Sequence, residues 1–243
     1  MKKILFIIIL PFLLLQSCTS DNNEDNSKAN QEQNVLLKKS IFDDGSILNI
    51  EYQGNKLLRY TSSDGTYSEF IYTGEKITRE NRFSASKKLV EYSEFVYLNN
   101  SLSEVKEYLG TTLYRKVTFV KNSDNTITRT HTVYSGGSPK NTIYKEYYLN
   151  NQKVKQEQFS STGAIVNTST YTYDDKNCPT KNILGYKYLN GWYNGNSEEH
   201  NILKITESKF TSQTYTYQYN SNGFPTIENS TSGGYTEKTQ YFY

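Results

Sequence analysis

The chain is poor in the residues that stabilise helices and in those that build most catalytic sites. Among its 243 residues, alanine occurs only at Ala29, Ala85 and Ala164, and methionine only as Met1. Alanine is the strongest helix former, so helical bundles and parallel α/β folds lose their main support. Cysteine is confined to Cys18 and Cys178, histidine to His131 and His200, and tryptophan to Trp192. That inventory cannot furnish a standard structural zinc set. An excess of one charge is missing too, with 27 Lys+Arg against 25 Asp+Glu. A balanced surface excludes a protein built to grip nucleic acid. Neither a Gly-x-Ser-x-Gly elbow nor a glycine-rich phosphate loop is present.

What is abundant is tyrosine, at 23 residues, with 11 Phe beside it. Tyrosine and threonine favour strands. From Val35 onward the hydrophobic pattern has period two. Leu48, Ile50 and Tyr52 alternate with Asn49 and Glu51, and Tyr215, Tyr217 and Tyr219 with Thr216 and Gln218. Turn signals such as Gln53-Gly54-Asn55, Thr73-Gly74-Glu75 and Asn99-Asn100 separate these runs. Gly and Asn tolerate the positive φ of tight hairpins, so successive strands are expected to be antiparallel neighbours.

The turns repeat as a unit. Tyr52-Gln-Gly-Asn-Lys-Leu57 matches Tyr72-Thr-Gly-Glu-Lys-Ile77, and Tyr97-Leu-Asn-Asn-Ser-Leu102 is a looser copy. About sixteen strands follow from the turn spacing. At roughly 4.8 Å between strands, a flat sheet of that size would be about 80 Å wide. Open twisted sheets rarely exceed about ten strands. The expected fold is therefore all-β, a single antiparallel meander that curls or closes into a barrel-like sheet. One face should carry Tyr, Leu, Ile and Val, the other Thr, Ser, Lys and Glu.

Met1-Lys2-Lys3 and the apolar run Ile4–Leu15 read as a secretory leader. The run is too short to span a bilayer as a helix, which needs roughly 20 residues. Leu15-Gln16-Ser17-Cys18 resembles the bacterial lipobox. The resemblance implies cleavage after residue 17, acylation of Cys18, and a membrane partner reached through that lipid anchor. Residues 18–34 hold no aliphatic side chain larger than alanine beyond the cysteine, and read as a flexible tether. Asp21, Glu24 and Asp25 are similar to the acidic export signal of surface-displayed Bacteroidetes lipoproteins. A plain periplasmic spacer fits them as well, so the outer membrane is expected and its face stays open. Residues 35–243 form the folded domain, with an insertion at 181–199.

Tyr-x-Tyr-Asp-x-x-Asn at 171–177 and Tyr-x-Tyr-Asn-x-x-Gly at 217–223 resemble the tyrosine-aspartate repeats of the Rhs class. The wider chain is similar to Bacteroidetes lipoproteins of unknown function with tyrosine-rich sheets. Cys178 and Thr180 depart from the Asn and Phe that more often flank the proline there. The resemblance implies fold and location, and no activity.

Few residues then bid for chemistry. Cys178, the single thiol outside the lipobox, reads as a small buried hydrophobe beside Pro179 rather than a nucleophile, since no spacing ties it to His131 or His200. The acidic pairs Asp43-Asp44 and Asp174-Asp175 read as turn residues rather than calcium ligands. No metal, cofactor or catalytic set is expected. The insertion carries Trp192, Tyr193, Tyr186 and Tyr188 among glycines. These rings either stack on a glycan or anchor a protein partner, or they plug the sheet end. The expected role is a non-enzymatic binding or structural lipoprotein of the cell envelope. A glycan-capturing or carbohydrate-processing uptake component is the alternative. A transmembrane barrel is disfavoured by Glu237 and Lys238 in the last strand.

Overall fold

The computed structural model describes residues 35–189, 192 and 199–243. Sixteen strands follow one another in a meander. They are β1 (Lys39–Ile41), β2 (Ile47–Gln53), β3 (Lys56–Ser62), β4 (Tyr67–Thr73), β5 (Lys76–Phe83), β6 (Leu89–Leu98), β7 (Ser101–Leu109) and β8 (Thr112–Lys121). The second half comprises β9 (Ile127–Val133), β10 (Lys140–Leu149), β11 (Gln152–Phe159), β12 (Ile165–Tyr173), β13 (Ile202–Glu207), β14 (Gln213–Tyr219), β15 (Pro225–Ser232) and β16 (Tyr235–Phe242). Every strand pairs antiparallel with its sequence neighbours, and β1 pairs with β16 to close the barrel. The helical content of the described residues is one 3-10 turn, Tyr186–Tyr188.

The repeated turn unit has a structural meaning. Asn99 and Asn100 both hold positive φ, as do Asn150 and Asn151, the conformation that two-residue hairpins require. Just after such a turn the incoming strand bulges. Tyr52 faces Leu57 while Glu51 faces Arg59, so Leu58 is an extra residue. The same two-for-one step recurs at Tyr72 with Ile77, Tyr97 with Leu102, Tyr148 with Lys153 and Tyr219 with Pro225.

A bulge frees a backbone carbonyl from the ladder, and that carbonyl needs a donor. A tyrosine from a neighbouring hairpin supplies it. The Tyr97 hydroxyl donates to Ile77 O at 2.8 Å, Tyr173 to Lys153 O at 2.6 Å, and Tyr243 to Pro225 O at 2.9 Å. Tyr217 donates likewise to Ile202 O at 2.9 Å. Each phenol thus buries its ring against the rim and latches one hairpin to the next. The tyrosines of the repeat are strand fasteners.

The inner face is not uniformly apolar. Leu57, Ile77, Phe95, Leu102, Val105 and Val117 belong to one buried cluster, whose strand residues all come from β2 to β8. The inner face of β10 to β12 instead buries Glu146, Lys153, Asn167 and Ser169. Expecting one face for Tyr, Leu, Ile and Val and the other for Lys and Glu is corrected here, since Glu80, Glu107, Glu146 and Lys153 lie within the wall at no more than 3% exposure. Burying charge is costly unless it is paired. Arg115 clasps Glu107 with two nitrogens. Glu146 receives Arg129 Nη2 at 3.1 Å, Lys153 Nζ at 3.4 Å and the Tyr148 hydroxyl at 2.9 Å.

Candidate functional site

Between β12 and β13 runs a connection whose described residues, 174–189, 192 and 199–201, lie outside the strands. Its base is clamped. Asp174 N donates to Asn201 O at 3.0 Å, and Asn201 N returns a bond to Asp174 Oδ1 at 3.0 Å. Further along, Leu184 N donates to Asn55 O at 2.9 Å and Asn182 Nδ2 to Val35 O at 3.0 Å, reaching across to the β2–β3 turn and the entry of the chain. Gly185 holds φ 92, and a Cβ there would lie 2.9 Å from Glu75 O. Glycine permits this close approach to the β4–β5 turn.

The segment then folds into the barrel end. Ile183, Tyr186 and Leu189 are buried in the apolar cluster. Trp192 is half-buried, packs edge-on to Phe95 with ring centroids 6.3 Å apart, and has the Arg115 guanidinium 5.7 Å from its ring. The Tyr186 hydroxyl is hydrogen-bonded to that of Tyr60. Tyr188 stays at the rim, its hydroxyl donating to Glu75 Oε2 at 3.0 Å. Of the four rings singled out in the sequence, Tyr186 and Trp192 therefore pack against the barrel interior. Tyr193 lies outside the described residues, as does Cys18.

Beside this segment is a cavity of about 520 Å³. Its walls come from both sides of the closure seam, with Leu48, Ile50 and Tyr60 on one side and Tyr215, Tyr217, Glu228 and Tyr241 on the other. Cys178, Pro179, Thr180 and Tyr186 contribute from the 174–201 segment. Glu228 stands directly across the ladder from Tyr217 and accepts the Tyr241 hydroxyl at 2.9 Å. Burial pushes its carboxyl above the usual range, and the Tyr241 and Tyr217 hydroxyls oppose that rise. Burial likewise raises the phenols of Tyr217 and Tyr241, with the charge of Glu228 adding to it. These phenols are therefore hydrogen-bond donors at neutral pH. Cys178 is buried, with Sγ 3.6 Å from Thr180 Oγ1.

The remaining chemistry is dispersed. His131 sits in the polar sector against Tyr144, its imidazole held down at about 4 first by burial and then by Arg129 and Arg115. His200 Nδ1 lies 2.9 Å from Lys176 O. Asp44 and Asp174 accept backbone N–H groups two residues on, as turn residues do. Among the described residues no cluster of three or more His, Cys, Asp or Glu is placed to hold a metal ion. Sequence reasoning missed Glu228, Tyr60 and Tyr241. The alternation at 215–219 pointed to Tyr215 and Tyr217, but only ring closure brings them beside β1 and β2.

No family model matches the sequence, and no curated protein matches it. Solved structures do. A porin-like protein from Bacteroides vulgatus superposes with a TM-score of 0.55 at 11% identity, covering 86% of this chain and 98% of that one. A porin-like protein from Bacteroides uniformis gives a TM-score of 0.41 at 14% identity, covering 81% of this chain and 76% of that one. The first likeness shows a shared fold.

Proposed function

We propose that the chain is an envelope lipoprotein, tethered through Cys18, whose barrel stands in water and holds a small ligand in its lumen without catalysing a reaction on it. The observation that carries this reading is a partly open cavity lined from both sides of the closure seam, within a wall whose outer face is charged. Outside the barrel, Arg79 Nη1 lies 3.6 Å from Glu94 Oε1, and Glu104 takes Lys106 at 2.9 Å and Lys116 at 3.4 Å. A lipid-facing barrel would lose about 2–4 kcal/mol for each such Arg or Lys at the bilayer midplane. Eleven of the sixteen strands are also eight residues or shorter, against the roughly 9–11 that a tilted span needs. A cavity of this size, largely apolar with a few placed polar groups, is the common form of a small-molecule site.

The glycan-capturing alternative draws its support from the rings of the insertion, and Tyr186 and Trp192 commit theirs to packing. The test is detergent phase partition of the full chain and of Cys18→Ser. The wild type should enter the detergent phase and the variant the aqueous phase. A variant that stays with detergent would overturn the reading in favour of a membrane-spanning wall.

A further inference from the structure

We infer that the lumenal cavity selects an organic cation, a protonated or quaternary amine carried on an apolar body. The inference rests on reading the cavity as a ligand site. Its basis is the company Glu228 keeps. Among the described residues, the cavity lining contains this one carboxyl and neither lysine nor arginine. Its single histidine, His200, turns Nδ1 to Lys176 O. Elsewhere on the inner face the fully buried carboxyls meet cations, while half-buried Glu207 accepts Asn167 Nδ2 and Ser169 Oγ. Glu80 has Arg82, Glu107 has Arg115, and Glu146 has both Arg129 and Lys153. Glu228 faces phenols instead, with Tyr217 opposite it on β14 and the Tyr241 hydroxyl donating to it from β16.

A half-buried carboxyl without a counter-charge is unfavourable, and burial accordingly lifts its proton affinity. An incoming ammonium would supply the missing charge. The rings of Tyr60, Tyr215, Tyr217 and Tyr241 in the lining would stabilise the same cation through their quadrupoles. Leu37, Leu48 and Ile50 offer an apolar surface for the rest of the molecule. A neutral or anionic ligand would leave Glu228 uncompensated, so the cavity discriminates by charge.

The test is isothermal titration calorimetry on purified protein with 4-phenylbutylamine and its neutral counterpart 4-phenylbutan-1-ol. At pH 7.5 the amine should bind at least tenfold more tightly than the alcohol. Glu228→Gln, which keeps the volume of the side chain, should bring the two affinities within threefold. Glu207→Gln, at an inward carboxylate outside the cavity lining, should leave the preference intact. The wild-type ratio decides the matter even if Glu228→Gln does not fold. Equal binding of amine and alcohol would overturn the cation inference while leaving the lumen a ligand site. Binding of neither probe would overturn both.

Discussion

The barrel wall has two unlike sectors. From β2 to β8 the inner face packs aliphatic and phenyl groups against the 174–201 segment, as Leu57, Ile77, Val105 and Val117 do at 0% exposure. From β10 to β12 the same inner face holds Glu146, Lys153, Asn167 and Ser169. Both sectors are built from the same hairpin, with a tyrosine before the turn and a bulge after it. The shared backbone device shows that rim latching, not core chemistry, is the constant of this fold. The sector facing the folded-in segment packs its apolar side chains against it, and buries Glu80 and Glu107 only beside Arg82 and Arg115. The polar sector is held by paired charges. Lys153 is pulled down to about 8 by burial, against the pull of Glu146.

The sharpest break in that contrast is Glu146→Gln. It leaves Lys153 and Arg129 facing each other in the wall without a counter-ion, and the loss of stability should be about 3–5 kcal/mol, measured by urea denaturation. In the apolar sector, Ile77→Ala removes volume without stranding a charge and should cost about 2–4 kcal/mol. Equal salt dependence of the two losses would erase the distinction, since only the first is electrostatic. Smaller still is Tyr97→Phe, which keeps the ring and removes the donor to Ile77 O. It should cost about 0.5–1.5 kcal/mol, with amide exchange accelerated at the β6–β7 hairpin. A neutral result there would deny the latch its role.

Much of this architecture was legible beforehand. The hairpin count, the antiparallel order and the tyrosine-turn-aliphatic unit all follow from local signals, because a two-residue turn and its closing strands are contiguous in sequence. The inward face was legible only up to each turn. A period-two reading that starts from Leu57 places Arg59 inside. The extra residue Leu58 shifts the phase, and Tyr60 points inward instead, opposite Ile50. In β5 the extra residue Thr78 repeats this slip, which is why Glu80 falls on the inner face. The cavity was illegible for another reason. Its two walls are separated by most of the chain, and Glu228 meets Tyr241 through a pairing whose register no local motif encodes.

The seam has a kinetic consequence. Fifteen of the sixteen strand pairings join sequence neighbours and can zip locally, whereas β1 with β16 unites residues 39–41 with 240–242 through three residue pairs. Loop-closure entropy places such a contact late in folding. It is also the first place for the ring to open. When β1 detaches, β2 and β16 become free edges, each a template for a strand of another molecule. Self-association of this protein should therefore begin at its narrowest strand, and shielding those three residues should suppress it.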